Sequence, residues 1–512
     1  MSAKLLMLQG TGSSVGKSAL VAGLCRLYRQ RGFRVAPFKA QNMALNSFIT
    51  PQGGEIGRAQ AVQAEACGLE PHVDMNPVLI KPNSDVGAQV IIHGRVVGNM
   101  SAAVYHAYKE TAWQAVAASL ARLRREYELV IIEGAGSPAE INLRDQDIVN
   151  MGLALRVNAP VLLIGDIDKG GVFAALLGTL ALLEPAERDL IKAFIVNKFR
   201  GDAALLTPGL EMITARCGTP FAGVVPWFGS DIYLPEEDGV ALEQKNQAGP
   251  QKSDCQHRLA IAVIRLPHIS NFTDFDPLRH EAGVFLRYLE PHESLVGFHL
   301  VILPGSKNTI ADLQALTQVD FSRRLRAFAA AGGAVVGICG GYQMLGRSLR
   351  DPQMVESGCG EVEGFGLLPI VTEMFPEKVT VQCRARVCSA FLGDGLEVSG
   401  YEIHQGRTEA VAEAETLLAV SEKGGRRYSD GHVAAQGLIW GSYMHGIFDD
   451  DAFRGAYLAW LQSHFLPAEN GCSGASPAAI SYRQRKEQGL DALAEHLQQS
   501  LDLRMIDGFA GF

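Results

Sequence analysis

Cys339 sits in the run Ala334-Val335-Val336-Gly337-Ile338-Cys339-Gly340-Gly341-Tyr342-Gln343-Met344-Leu345-Gly346, where an apolar stretch meets a pair of glycines. Small neighbours permit a sharp strand-to-helix turn that projects a thiol, the cysteine counterpart of the G-x-S-x-G elbow. The helix N-terminus that follows favours the nucleophilic thiolate. The backbone N–H of Gly340 is the expected first oxyanion donor. Gly305, in the turn Pro304-Gly305-Ser306, supplies the second. A nucleophilic cysteine needs a base. His445, in Trp440-Gly441-Ser442-Tyr443-Met444-His445-Gly446-Ile447-Phe448, is the leading candidate, and His404 in Tyr401-Glu402-Ile403-His404 is its rival. Glu402 is one option for the group that orients the imidazole.

A second constellation lies near the start of the chain. Gly10-Thr11-Gly12-Ser13-Ser14-Val15-Gly16-Lys17-Ser18 follows a short apolar strand and opens a helix. Backbone N–H groups from Gly12, Ser13, Ser14, Val15 and Gly16 are expected to converge on phosphate oxygens at the helix N-terminus. Lys17 neutralises the terminal phosphates of ATP and Ser18 holds Mg2+. Glu133, closing the strand Leu129-Val130-Ile131-Ile132, is the expected second ligand of that ion. Asn197-Lys198, after the strand Ala193–Val196, is a candidate for reading the nucleotide base; a strand-end Asn also caps turns. Thr11 stands where the standard motif has its first glycine. This variant resembles P-loop proteins of the dethiobiotin synthetase type, which phosphorylate a carboxylate.

Two such centres need two scaffolds, and 512 residues suffice for two to four domains. Short apolar strands at Leu5–Leu8, Arg34–Phe38, Leu129–Ile132, Val161–Ile164 and Ala193–Asn197 alternate with helical stretches such as Ala19–Arg31, Ala112–Tyr127 and Val172–Leu183. That alternation predicts a parallel sheet with helices on both faces. Composition turns polar over Gln244–His257, read as a linker. The pattern resumes with strands at Leu259–Ile264, Leu300–Leu303 and Ala334–Ile338 and a helix at Phe321–Ala331. The expected division is therefore 1–243, a linker at 244–257, a second α/β domain at 258–465, and a helical tail at 466–512 with a helix over Leu490–Leu503.

The remaining features exclude other classes. Nine cysteines without a C-x-x-C pair argue against a disulfide framework or zinc ribbon and predict a reducing, cytoplasmic setting. Met1–Leu8 runs straight into the glycine loop, so no signal peptide is expected. No apolar stretch approaches a membrane span. A net charge of -9 argues against nucleic acid as partner.

The cysteine-then-histidine order resembles class I glutamine amidotransferases. Those enzymes carry His-x-Glu, and Ile447 here stands where the Glu would be. Together, the two halves resemble the cobyrinate/cobyric acid synthase group, and most closely its cobyric acid branch. The segments that carry this are Phe38–Ser47, Gly54–Gln60, Met75–Pro82, Asp166–Phe173, Ile269–Phe275, Leu303–Thr309 and Gly400–His404. The resemblance implies a P-loop domain, similar to dethiobiotin synthetase, joined to a glutaminase domain. It also implies ATP- and glutamine-dependent amidation of a corrinoid's carboxylates, with the corrinoid as substrate. Lys39, Asn42 and Arg58 would then face that polycarboxylate. The sister enzyme acting on the a and c carboxylates resembles a Gly-Pro-Asp type sequence where this chain has Gln41-Asn42-Met43. A ParA/MinD-like ATP switch with a vestigial glutaminase domain is the alternative of a different class; an intact Cys339 and His445 argue against it.

Overall fold

The computed structural model describes residues 2–82, 87–229, 232–235, 258–393, 395–422, 425–466 and 480–512. The expected linker at 244–257 lies outside them. Packing divides the chain into two units. The first comprises Met1–Ala44, Gly54–Glu237 and Gln484–Phe512, and the second Leu45–Gly53 and Asp238–Arg483.

The first unit is built on a six-stranded parallel sheet ordered Phe221–Pro226, Ile191–Phe199, Val161–Asp166, Lys4–Gly10, Leu129–Glu133, Val35–Phe38. Its strands are predominantly apolar because both faces are covered. Met7, Val130, Ile132, Leu163 and Phe194 feed one core. Leu6, Leu8, Ile131, Leu162 and Ile195 feed the other. Gly10, Glu133, Asp166 and Asn197 emerge at the carboxyl ends. A smaller sheet of Gln41–Met43, Val78–Pro82, Gly87–Ile92 and Arg95–Ser101 adjoins in sequence. The helix expected from Ala112 begins at Ala102, with Ser101 Oγ accepting from Val104 N; its first turns are largely exposed, and its buried positions begin at Ala112.

The second unit has a ten-strand path. Val284–Leu289, Leu259–Ile264, Leu300–Leu303, Ala334–Ile338 and Ile439–Ser442 are mutually parallel. Largely antiparallel strands extend it, among them Ile370–Val387, which pairs with Glu397–Ala410. This extension is absent from the reading by periodicity. Among the described residues no helix is long and apolar enough to cross a membrane.

Two stretches belong to a unit other than that of their chain neighbours. Leu45–Gly53 joins the second unit, and the C-terminal helices Tyr482–Ser500 and Leu503–Ala510 bring Gln484–Phe512 into the first. Leu490, Leu493, Leu497, Leu501 and Ile506 are part of the core beneath the helix Lys17–Gln30. Gly23 lies under Leu493 and Leu497, so closely that a Cβ there would meet Leu497 Cδ1 at 2.5 Å. Arg26 pairs with Glu487 and Asp491, and Tyr28 and Arg31 both reach Asp507. The tail is thus structural mass for the nucleotide-binding half. Leu497→Ala should cost about 2–5 kcal/mol, the range for emptying a buried leucine site. Urea unfolding would register this as a lower midpoint, and an unshifted midpoint would refute the tail's place in that core.

Candidate active sites

The strand Ala334–Ile338 delivers Cys339 into φ 53, ψ -110, and the short helix Gly340–Met344 follows. A non-glycine residue pays for such a conformation in strain, which the surroundings must hold. They do so by close packing: a Cβ at Gly341 would overlap the Leu303 carbonyl, and one at Gly340 would lie 2.9 Å from Ser306 N. Cys339 N donates to Ser442 O at 2.9 Å, and Sγ lies 3.5 Å from Ile403 O.

Ile439–Ser442 runs parallel to the cysteine strand, with Ile338 level with Ser442. The two neighbouring strands therefore end together, and His445 arrives beside Cys339. Its Nδ1 lies 2.6 Å from Asp274 Oδ2, and Gly446 N donates to Asp274 Oδ1 at 3.3 Å. Burial pushes the imidazole towards neutrality, but the Asp274 carboxylate and Cys339 outweigh it and raise the pKa to about 10. Gly305 adjoins this cluster: a Cβ there would stand 3.1 Å from His445 Cε1. The turn bearing Gly305 and the elbow bearing Gly340 are thus brought together around the thiol and imidazole.

His404 is placed differently. Its ring nitrogens face Gly406 O and Glu402, and its ring stacks on Tyr443 at 3.7 Å. Glu402 receives the Tyr428 hydroxyl at 2.8 Å and His404, whereas Asp274 is the carboxylate on His445.

In the first unit, Lys17 Nζ donates to Gly12 O and Gly136 O, both at 2.9 Å, so the loop closes against the turn after Glu133. Ser18 Oγ donates to Glu133 Oε1 at 2.8 Å. Lys39 Nζ reaches the same oxygen at 2.7 Å, and Gln63 Nε2 donates to Oε2 at 2.5 Å. Gly16 has φ +98, and a side chain there would overlap Asn197 Nδ2. That amide donates to Val15 O at 2.8 Å, bracing the loop, while Asn197 Oδ1 has no partner among the described residues. Asn42 donates to Gln60 at 2.9 Å, and buried Arg58 opens the helix Arg58–Cys67 that also carries Gln60. Among the described residues no group of three or more His, Cys, Asp or Glu forms a metal cluster. Ser18 and Glu133 nevertheless present hard oxygens at one point, a donor set that fits Mg2+, which takes its other ligands from phosphate and water.

Residues 6–238 match the model of the CobQ/CobB/MinD/ParA nucleotide binding domain, and 260–453 that of the CobB/CobQ-like glutamine amidotransferase domain. The chain is 48% identical to the cobyric acid synthase of Syntrophobacter fumaroxidans, over 99% of both chains. It is 51% identical to that of Pelotomaculum thermopropionicum, over 99% of this chain and 97% of the relative. The chain belongs to the cobyric acid synthase family. As a member it is a glutamine-dependent amide-forming ligase of cobalamin biosynthesis, with a nucleotide-binding and a glutamine amidotransferase domain.

In this cobyric acid synthase family chain, sequence reasoning missed two residues at the sites. Gln63 lies just beyond the segment Gly54–Gln60. Lys198, read with Asn197 as a candidate for the base, bonds Ser14 O at 2.6 Å and Asp166 at 2.8 Å. Asp274 sits in Ile269–Phe275, a segment that carried the family resemblance without a role for its acid. If Asp274 orients and charges His445, Asp274→Asn should lower kcat/KM for glutamine hydrolysis by about a hundredfold or more, as loss of the carboxylate does in other triads. With the carboxylate gone, the raised imidazole pKa falls, so the alkaline limb of the pH–rate profile should move to lower pH. An unmoved limb and unchanged kcat/KM would remove Asp274 from the site.

Proposed function

We propose that the chain amidates carboxylates b, d, e and g of adenosylcobyrinic a,c-diamide to give adenosylcobyric acid, using one ATP and one glutamine for each. The observation that carries this reading is one chain holding a phosphate cradle and a thiol–imidazole–carboxylate array. A carboxylate resists attack by ammonia because its carbonyl is poorly electrophilic. Phosphorylation converts it to an acyl phosphate whose leaving group departs readily. The Gly12–Ser18 loop would hold the triphosphate, with Lys17 offsetting charge on the transferring phosphoryl group. Ser18 and Glu133 would hold Mg2+, which supplies charge neutralisation when bound. Asn197 Oδ1 is a buried acceptor suited to an amino group of the base.

Lys39 takes a sharper role than a general contact to the substrate. Its ammonium lies on the carboxylate that Ser18 also meets. It therefore stands where the terminal phosphate and the acceptor carboxylate would join, while Asn42 and Arg58 serve acceptor recognition.

At the other site, Cys339 would attack the glutamine side-chain carbonyl, with Gly305 and Gly340 stabilising the oxyanion. His445 would pass its proton to the departing ammonia, leaving a glutamyl thioester for water to cleave. The described cysteines are all free, in keeping with a reducing cytoplasm.

The two half-reactions separate by substitution. Cys339→Ala should abolish glutamine-dependent amidation yet retain amidation fed by ammonium salt at alkaline pH, where free ammonia is present. Lys17→Ala should show the converse, losing amidation with either nitrogen source while still releasing glutamate from glutamine. Product formation by mass spectrometry and glutamate release check both. A Cys339→Ala enzyme that still uses glutamine, or a Lys17→Ala enzyme that amidates at the wild-type rate, would overturn the assignment.

A further inference from the structure

The segment Leu45–Gly53 lies within the stretch matched by the nucleotide-binding model, yet it packs in the second unit. Asn46 Oδ1 accepts from Phe272 N at 3.2 Å, and Ser47 N donates to Asn271 Oδ1 at 3.2 Å. Asn271 Nδ2 donates to the Tyr401 hydroxyl at 3.0 Å, which in turn donates to Ser47 O at 3.3 Å. Ile49 is fully buried with Tyr401 and Ile403, and its carbonyl accepts from Gln382 at 2.7 Å.

Both groups held by this segment bear on His445. The Tyr401 ring lies parallel to the imidazole, centroids 5.4 Å apart and planes 16° apart. Asn271, at φ 53, leads into the turn Phe272–Phe275 that carries Asp274. An imidazole fixed by one hydrogen bond at Nδ1 can still swing about it. An aromatic face across the ring and a pinned turn behind the carboxylate remove that freedom. The stacked ring also favours the imidazolium over the neutral form. Neither support comes from residues adjacent to His445 in sequence.

We infer that Asn46–Ile49 is a strap that positions the glutaminase histidine, with Asn46, Asn271 and Tyr401 as its positioning residues. The inference rests on the reading of Cys339 and His445 given above. The bonds named for the strap run to the turn before Asp274 and to Tyr401, so it acts on the rate of the histidine's proton transfers rather than on substrate affinity. Ser47 contributes only its backbone to the bonds named. Asn46 contributes a side chain, and Tyr401 both a hydroxyl to the strap and a ring to His445.

The test uses the full-length chain with two variants. Tyr401→Phe keeps the stacked ring and cuts it from the strap; Asn46→Ala releases the turn before Asp274. Glutamine hydrolysis by Tyr401→Phe should lose about tenfold in kcat, the equivalent of one hydrogen bond's worth of positioning, with KM for glutamine within about twofold. Amidation driven by ammonium salt should stay at the wild-type rate. Wild-type kcat in Tyr401→Phe would overturn the inference, as would a loss that extends to ammonia-driven amidation, the mark of a general structural defect. Asn46→Ala is read by the same criteria should Tyr401→Phe fail to fold. A wild-type enzyme that releases no glutamate would instead strike down the reading of Cys339 and His445.

Discussion

A parallel sheet covered on both faces has one place for polar chemistry, the carboxyl ends of its strands, and both halves of this chain obey that constraint. Gly10, Glu133, Asp166 and Asn197 emerge at one such edge, and Cys339 and His445 at the other. In the first unit, side chains within the strands alternate between two apolar cores, so a charged group there would be buried without a partner. Register then does the positioning. Ile338 sits level with Ser442, and Leu8 level with Glu133, which sets the start of the glycine loop beside the acid.

The charges that gather at these edges are buried and must be compensated locally. The Glu133 side chain is inaccessible to solvent and is met by Ser18, Lys39 and Gln63. Breaking such a set by removing one partner is far costlier than its net contribution suggests, because the others stay buried. The same holds for His445 with Asp274, where the carboxylate offsets the burial that would otherwise discharge the ring. These networks therefore fix geometry before any ligand arrives. Preorganisation of this kind lets fixed dipoles and charges act on a transition state without reorganising.

Much of this was legible locally. Most strands of the two parallel sheets announce themselves as short apolar runs, Phe221–Pro226, Val284–Leu289 and Ile439–Ser442 being those not read as strands, and the elbow and the phosphate loop announce themselves as glycines beside a nucleophile or a lysine. Each is a short-range constraint: a side chain at Gly341 would overlap Leu303 O, and one at Gly16 would overlap Asn197. The antiparallel extension around Ile370–Ala410 was not legible, since its half-buried strands alternate weakly. Nor were the tail and the segment Leu45–Gly53. The tail reads as helical, but a sequence window holds no information on which distant surface either stretch meets. Lys39 shows the same limit, because its type fits any anion and only the fold puts it on Glu133.

Asp274 is the sharpest case. The position two residues beyond His445 carries Ile447, which is 1% exposed and packed in the core with Phe448. A carboxylate there would be drawn into apolar surroundings, so orientation of the imidazole passes to a separate turn. That transfer has a structural consequence. A carboxylate on the histidine's own strand end would be placed by local backbone alone. Asp274 is placed by the turn Phe272–Phe275, whose entry is set by Asn271 in a left-handed conformation and whose first N–H is taken by Asn46. The geometry at Nδ1 thus depends on packing far away in sequence. Residues with no chemistry of their own, Asn46 and Tyr401 among them, become conditions for the chemistry at Cys339.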